Sequence, residues 1–330
     1  MNSNADMKND NFFDVNVKPN RVLKIFRKIF IPRAIRKKAD FENNLQLKGI
    51  VSDKWRQFIS AYLNGNLDKF EITPKKKLDT EKIIWQYWGQ GINNNLPEVV
   101  KICFASADKY KDDYTIIRLD DNTLQEYLDL PNFVWERRKN PEFKHAFFAD
   151  LLRLALLSTY GGIWIDATVL LTSEINKKLL DQDFFMFHRS NSAQDKKQWE
   201  NFNSNYFGWS DEHKVNVLNS FIISKKNNHV VKICLDIMLN YWKTQNHIPH
   251  YFFFQIMFDV LKNDYLNLDE FIIVDDTFPH LLQLKLNQKF NEVDYKSIVK
   301  QVNIHKMTYV NIQDDDTYYG YLKKCFLGKE

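Results

Sequence analysis

Cysteine is scarce. Cys103, Cys234 and Cys325 stand far apart in 330 residues and form no CxxC pair. Neither a zinc knuckle nor a disulfide framework is expected, and a reducing compartment is the simpler setting. Glycine and proline are also few, 9 and 8 residues, which argues against collagen-like or low-complexity structure. No run approaches the ~20 apolar residues that span a bilayer. Residues 1–13 are polar and offer no apolar core of a secretory signal, so a cytoplasmic location is expected. Walker A, GxSxG, HExxH and GxGxxG are all missing, and Gly89-Gln90-Gly91 alone is too little to bind a dinucleotide.

Basic charge is missing from the body of the chain. Residues 1–40 hold ten Lys/Arg against four Asp, which leaves 36 basic and 38 acidic residues for the rest. A nucleic-acid partner would want a basic face on the fold itself, so none is expected. The excess lies in one stretch with no acidic residue from Val15 to Ala39. Within it Val22, Ile25, Phe26, Ile29 and Phe30 recur at helical spacing, with Lys24, Arg27 and Lys28 between them. A basic amphipathic helix over residues 21–38 can lie in the headgroup region of an anionic membrane, or pack its apolar stripe on the body. Pro32 shortens the usable helix.

What is present is an apolar chain, 44% hydrophobic and 15% aromatic, able to build a large core. Residues 1–20 are expected to be disordered, and residues 21–72 to form the basic helical extension, with a second helix capped by Ser52 and ended near Gly65. Residues 73–81 read as a linker. Strand and helix then alternate: strand 82–88, helix 96–110, strand 114–119, a short helix capped by Asp121, and a long apolar helix over 141–162 stopped by Gly161-Gly162. A buried strand follows at 163–166, then a long polar loop at 189–212, a strand at 219–225, helices near 228–243 and 249–263, and a strand candidate at 271–276. This alternation predicts an α/β domain around a mostly parallel sheet. Ligands of such sheets bind at the carboxyl ends of strands, where Asp166 falls.

The chemistry-bearing residues are carboxylates. Asp150 and Arg153 share one face of a helix otherwise full of Phe and Leu. Charges in such company are costly unless paired or liganded. They form either a structural pair or a polar pocket for sugar hydroxyls. Asp166 ends its strand beside the small residues Ala167 and Thr168, which leave room for a diphosphate and a divalent cation; the plainer reading is a cap on the next turn. His247 and His250 beside the aromatic run of residues 251–254 make either an acceptor-side wall or the start of a core helix.

The segments Ala149-Asp150-Leu151-Leu152-Arg153 and Tyr160-Gly161-Gly162-Ile163-Trp164-Ile165-Asp166-Ala167-Thr168 resemble the S-D-x-x-R and Y-G-G-x-Y-x-D-x-D patterns of the DXD-type glycosyltransferases. They are most similar to those of the bacterial capsular polysaccharide synthesis proteins related to the initiation-specific mannosyltransferases of glycosyltransferase family 32. The likeness runs over residues 80–310, leaving 311–330 as a tail.

The resemblance implies a GT-A-type fold and transfer of a hexose, from a UDP-hexose first among the candidates, with retention of configuration. The acceptor would be an oligosaccharide or a lipid-linked one at the inner membrane face. Asp150, Arg153 and Asp166 would be the catalytic set. Trp85, Trp88, Gly161, Gly162, Thr168 and Asn219 would bind the donor, and Asp166 with His305 would hold Mn²⁺ or Mg²⁺. Thr168 replaces the family's second carboxylate, a poorer metal ligand. A non-catalytic nucleotide-sugar-binding scaffold, a peripheral membrane adaptor and a phosphosugar transferase are the competing readings.

Overall fold

The computed structural model describes residues 10–15, 32–92, 95–266, 271–310 and 314–328. Most of the basic stretch expected to form an amphipathic helix (residues 16–31) lies outside the described residues. Its end is the start of α1 (Arg33–Leu63), a single 31-residue helix. Ser52 is therefore no N-cap; it is buried in the middle of α1. Residues 39–51 contain no proline and only one glycine, so nothing breaks the helix between the two expected pieces. The second half of α1 buries Val51, Trp55, Phe58, Ile59 and Tyr62, a stripe at three- and four-residue spacing.

The expected disorder of the N-terminus does not hold at residues 10–15. Phe13 is fully buried, with its ring 4.7 Å from that of Trp55 and 4.9 Å from that of Tyr241. Burying a side chain of this size stabilises the fold by about 1.5–3 kcal/mol, enough to hold a short turn in place.

The sheet contains β1 (Ile83–Tyr87), β2 (Thr115–Leu119), β3 (Gly162–Ile165), β5 (Phe184–His188) and β6 (Val217–Ser224), in the order β2-β1-β3-β6-β5. The first three strands are parallel; β6 and β5 join antiparallel, so the sheet is mixed rather than mostly parallel. Every residue of β1, β5 and β6 is buried, as expected for near-continuous apolar runs in a covered sheet. Helix α4 (His145–Tyr160) packs on β1, β3 and β6, and α7 (His229–Thr244) packs on α4. Helix α8 (Phe253–Tyr265) packs on β6 and on α1, where Trp55 Nε1 donates to the Phe253 carbonyl at 3.2 Å. The helical extension is thus part of the main core.

A second apolar cluster forms around α2 (Glu98–Tyr110), the two-stranded ladder of β4 (Val169–Leu171) with β7 (Ile304–Lys306), and α10 (Tyr318–Leu327). The supposed C-terminal tail therefore carries a helix whose Tyr318, Tyr319 and Leu322 are buried. Helices α3 (Asn132–Arg138), α5 (Lys177–Leu180), α6 (Lys196–Asn203) and α9 (Glu292–Gln301) complete the described elements, with two short 3₁₀ turns at Leu124–Glu126 and Phe278–His280. Asp120, not Asp121, closes the first of these turns, its carboxylate accepting from the Asn122 and Thr123 amides at 2.9 Å. The strand candidate at 271–276 makes only an isolated bridge from Asp275 to His188, and beside it Asp276 is fully buried in an ion pair with Arg189.

Candidate functional site

Parallel β1 and β3 end at the same edge of the sheet, and antiparallel β6 begins there, with the Asp166 amide donating to the Ser220 carbonyl at 2.9 Å. Above this edge opens a cleft of about 550 Å³. Its floor is built from the first turns of α4, the end of β3 and the start of β6, which contribute Asp150, Arg153, Trp164, Asp166, Thr168 and Asn219.

Arg153 is the hub. Its guanidinium lies 3.1 Å from Asp150 Oδ1 and 3.2 Å from Asp166 Oδ1, and donates to the Asn219 carbonyl at 2.7 Å. It also stacks 5.2 Å over the Trp164 ring. Asn219 Nδ2 donates to Asp150 Oδ1 at 2.8 Å, and Gln255 Nε2 to Asn219 Oδ1 at 3.0 Å. Trp164 Nε1 donates to Asp166 Oδ1 at 2.7 Å. Lys306 Nζ bridges Asp166 Oδ2 at 3.2 Å and Thr168 Oγ1 at 2.9 Å.

The Asp150–Arg153 pair is thus a buried ion pair, as the structural reading expects, and it also lines the floor of the cleft. Burial pushes the Asp150 carboxyl up to about 6, with Arg153 opposing the shift. Burial also raises Asp166, but Arg153, Lys306 and the Trp164 indole outweigh it and hold that carboxyl below its ordinary range.

The structure separates the remaining expectations. Trp88 lines the cleft, whereas Trp85 is fully buried and donates its Nε1–H to the Gly161 carbonyl at 2.9 Å. Gly161 and Gly162 lie at the opposite end of β3 from Asp166 and do not line the cleft. Their φ values of 75° and 101° turn α4 into β3, and a Cβ on Gly162 would come within 2.5 Å of the Ile83 carbonyl oxygen. They make the turn and stand away from the cleft, against the expected donor contact.

His305 is fully buried and outside the cleft, opposite Leu170 in the ladder, with Nε2 3.2 Å from Thr172 Oγ1. Because strand side chains alternate, the strand that turns His305 inward turns Lys306 toward Asp166. His250 is likewise buried, and neither it nor His247 lines the cleft; Tyr251 and Phe252 do.

Lys306, Gln255 and Trp164 are functional candidates that motif reading missed. So are Tyr87 and His145, which meet Asp121 and Arg138 at one end of the cleft. Burial lowers the pKa of His145, with Arg138 adding to the effect. The segment expected to be a long polar loop (189–212) contains helix α6, whose apolar side buries Trp199; the end of α6 and the turn after it supply Phe202, Asn203, Tyr206 and Phe207 as another wall. It is pinned from below by Arg189, which donates to the Tyr206 and Gly208 carbonyls at 3.1 Å and pairs with Asp276.

The donor set does not fit a divalent cation as the side chains stand. Among the described residues no three His, Cys, Asp or Glu side chains converge as metal ligands. Both Asp166 oxygens already accept from cationic or N–H donors, and the ammonium of Lys306 occupies the place between Asp166 and Thr168. A hard cation prefers about six oxygen ligands, and this site offers one carboxylate and one hydroxyl.

A family model for capsular polysaccharide synthesis proteins matches residues 35–322. Among curated proteins, the O-glycosyltransferase PaGT of Phomopsis amygdali is 26% identical over 175 residues, 51% of this chain and 40% of that protein. The match thus spans less than half the length of this relative. Among solved structures, the PaToxG glycosyltransferase is similar over 81% of this chain and 95% of its own, at 14% identity and a TM-score of 0.34, a likeness too distant to bear on the fold.

Proposed function

The chain belongs to the capsular polysaccharide synthesis protein family, and on that premise we propose that it is a glycosyltransferase of surface polysaccharide synthesis. It transfers a hexose from a nucleotide-sugar donor, a UDP-hexose first among the candidates, to an oligosaccharide or lipid-linked acceptor. The observation that carries this reading is the network of Asp150, Arg153, Asp166 and Asn219 at the carboxyl edge of the sheet, facing a cleft large enough for a nucleotide sugar. A GT-A-type fold is what the reading implies.

Asp150 and Asn219 are placed to accept and donate hydrogen bonds to sugar hydroxyls, orienting the anomeric carbon. Arg153 and Lys306 put positive charge where the departing diphosphate gains negative charge. In the transfer step the bond from the anomeric carbon to the phosphate oxygen breaks, and its electron pair leaves with the diphosphate. The acceptor oxygen bonds to the anomeric carbon, and the acceptor proton passes to the departing phosphate oxygen. A same-face displacement of this kind retains configuration and needs no protein nucleophile.

The acceptor lies toward the exposed Tyr251, Phe202 and Tyr309, which rim the cleft and offer apolar faces for sugar rings. A lipid-linked acceptor agrees with a basic arm at residues 21–38 that holds the enzyme against anionic lipid. One observation favours a binding-only scaffold instead: Thr168 stands where the resemblance expects a carboxylate. Such a protein would bind nucleotide and release none.

Replacing Asp166 by Asn tests the catalytic reading. Arg153 keeps Asp150 and the Asn219 carbonyl, so the variant should still fold, with a lowered melting temperature because Arg153 and Lys306 lose an ionised partner. Transfer should fall by roughly a hundredfold or more, and near-normal turnover would remove Asp166 from the mechanism.

A further inference from the structure

We propose that Lys306 is the resident cation of this site, binding the diphosphate of the donor directly, so that nucleotide binding requires no divalent metal. The proposal rests on the donor-site reading above and departs from the cofactor that the DXD resemblance implies.

Four observations carry it. The position of Lys306 is set by backbone pairing: it stands opposite Val169 in the β4–β7 ladder, and the Met307 amide donates to the Thr168 carbonyl at 2.8 Å. The backbone of Lys306 is therefore fixed beside Thr168, from where its ammonium reaches both Thr168 and Asp166. Its side chain is 23% exposed and lines the cleft, so it is held in place and still open to a ligand. Two of its three N–H donors reach Asp166 and Thr168, which leaves one for a phosphate oxygen. Finally, the carboxylate that could have served a metal is already taken on its other oxygen by Arg153 and Trp164.

Thr168 then has a physical explanation. A second carboxylate at this position would pair with Lys306 from the other side and quench its charge. A hydroxyl orients the ammonium and leaves its charge half-compensated, as an anion-binding site requires. A lysine ammonium is a compact, strongly hydrated point charge well suited to a phosphate oxygen.

Titration calorimetry of the full chain with UDP and with GDP, in EDTA and in Mn²⁺, tests this. For the nucleotide that binds, the dissociation constant should change less than about twofold between the two conditions. Lys306→Gln should weaken binding roughly ten- to a hundredfold, and Lys306→Arg, which keeps the charge, should retain most of it.

Melting curves check that each variant is folded. If Lys306→Gln is not, the Lys306→Arg comparison in EDTA carries the test. The double variant Lys306→Gln/Thr168→Asp exchanges the lysine for a second carboxylate, and its binding should become Mn²⁺-dependent by fivefold or more. Wild-type binding that disappears in EDTA and returns with Mn²⁺ overturns the proposal, as does a folded Lys306→Gln variant that binds like wild type. If neither nucleotide binds in either condition, the donor-site reading itself fails and the lysine assignment falls with it.

Discussion

Asp150 and Asp166 share Arg153, yet their carboxyls shift in opposite directions. Burial dominates at Asp150, pushing it up to about 6, while two cations and an indole N–H outweigh burial at Asp166. Asp150 is therefore the group whose charge changes in a useful range. Since the folded state holds its proton more tightly than the unfolded chain, this residue's contribution to stability declines as pH rises from about 4 to about 6, then levels. In the proposed donor role the sign is opposite, because Oδ1 is already engaged by Arg153 and Asn219 and the other oxygen is a full acceptor for a sugar hydroxyl only in the carboxylate. Donor affinity should fall as pH drops through about 6. Asp150→Asn should bind more weakly at pH 8 and lose this acidic limb; an unchanged limb in the variant would assign the titration to another group.

At this scale the sequence reading reached Asp150, Arg153 and Asp166 because 16 residues of one helix and one short strand carry them all. Lys306 comes from 140 residues further along the chain, and no local pattern marks it. The alternation of residues 304–306 was the available signal, since it forces His305 and Lys306 to opposite faces. The resemblance points to His305, the inward-facing residue of the pair.

Elements were legible where apolar runs were bounded by turn residues. The strands at 83–87, 115–119, 162–165 and 217–224 fall within a residue or two of their expected places. Helix α6 lies within the expected polar loop and β5 had no expected counterpart; three further segments also differ from expectation. Helix α1 continues through Ser52 because packing on α8 supports its later half. Residues 271–276 make a single bridge to β5 instead of a strand, with Asp276 buried against Arg189. The terminal segment is helical because the cluster around α2 offers its tyrosines a second core.

The turn from α4 into β3 gives a test at this scale. Gly162→Ala adds a Cβ within 2.5 Å of a backbone oxygen at a positive φ, costing about 1–3 kcal/mol or more in strain. The melting temperature should drop by several degrees. The folded fraction should bind nucleotide normally, because the glycine lies at the far end of the strand from Asp166. Normal stability with lost binding would restore Gly162 to the donor site.

For the whole molecule, the alternating pattern conveyed an α/β chain with its site at a carboxyl edge. It did not convey that β5 and β6 return antiparallel, which depends on pairings made across the fold. Among the described residues no helix is long and apolar enough to cross a membrane. The proposed contact with a lipid surface is through the basic arm at residues 21–38. Deleting the whole N-terminus would confound that question, since Phe12 and Phe13 belong to the core. The cleaner variant combines Lys24→Glu, Arg27→Glu and Lys28→Glu. It should lose co-sedimentation with anionic vesicles at low salt while melting like wild type, and unchanged sedimentation would remove the arm from membrane binding.

The central claim is that the cleft over Asp166 transfers a hexose from a nucleotide donor. The most direct measurement is nucleotide release from a panel of UDP-, GDP- and CMP-sugars with an oligosaccharide acceptor, run beside Asp166→Asn. The account predicts nucleoside diphosphate from one UDP- or GDP-sugar, released by the wild type and lost in the variant. Release of a nucleoside monophosphate from such a donor, or equal release by the variant, would contradict it.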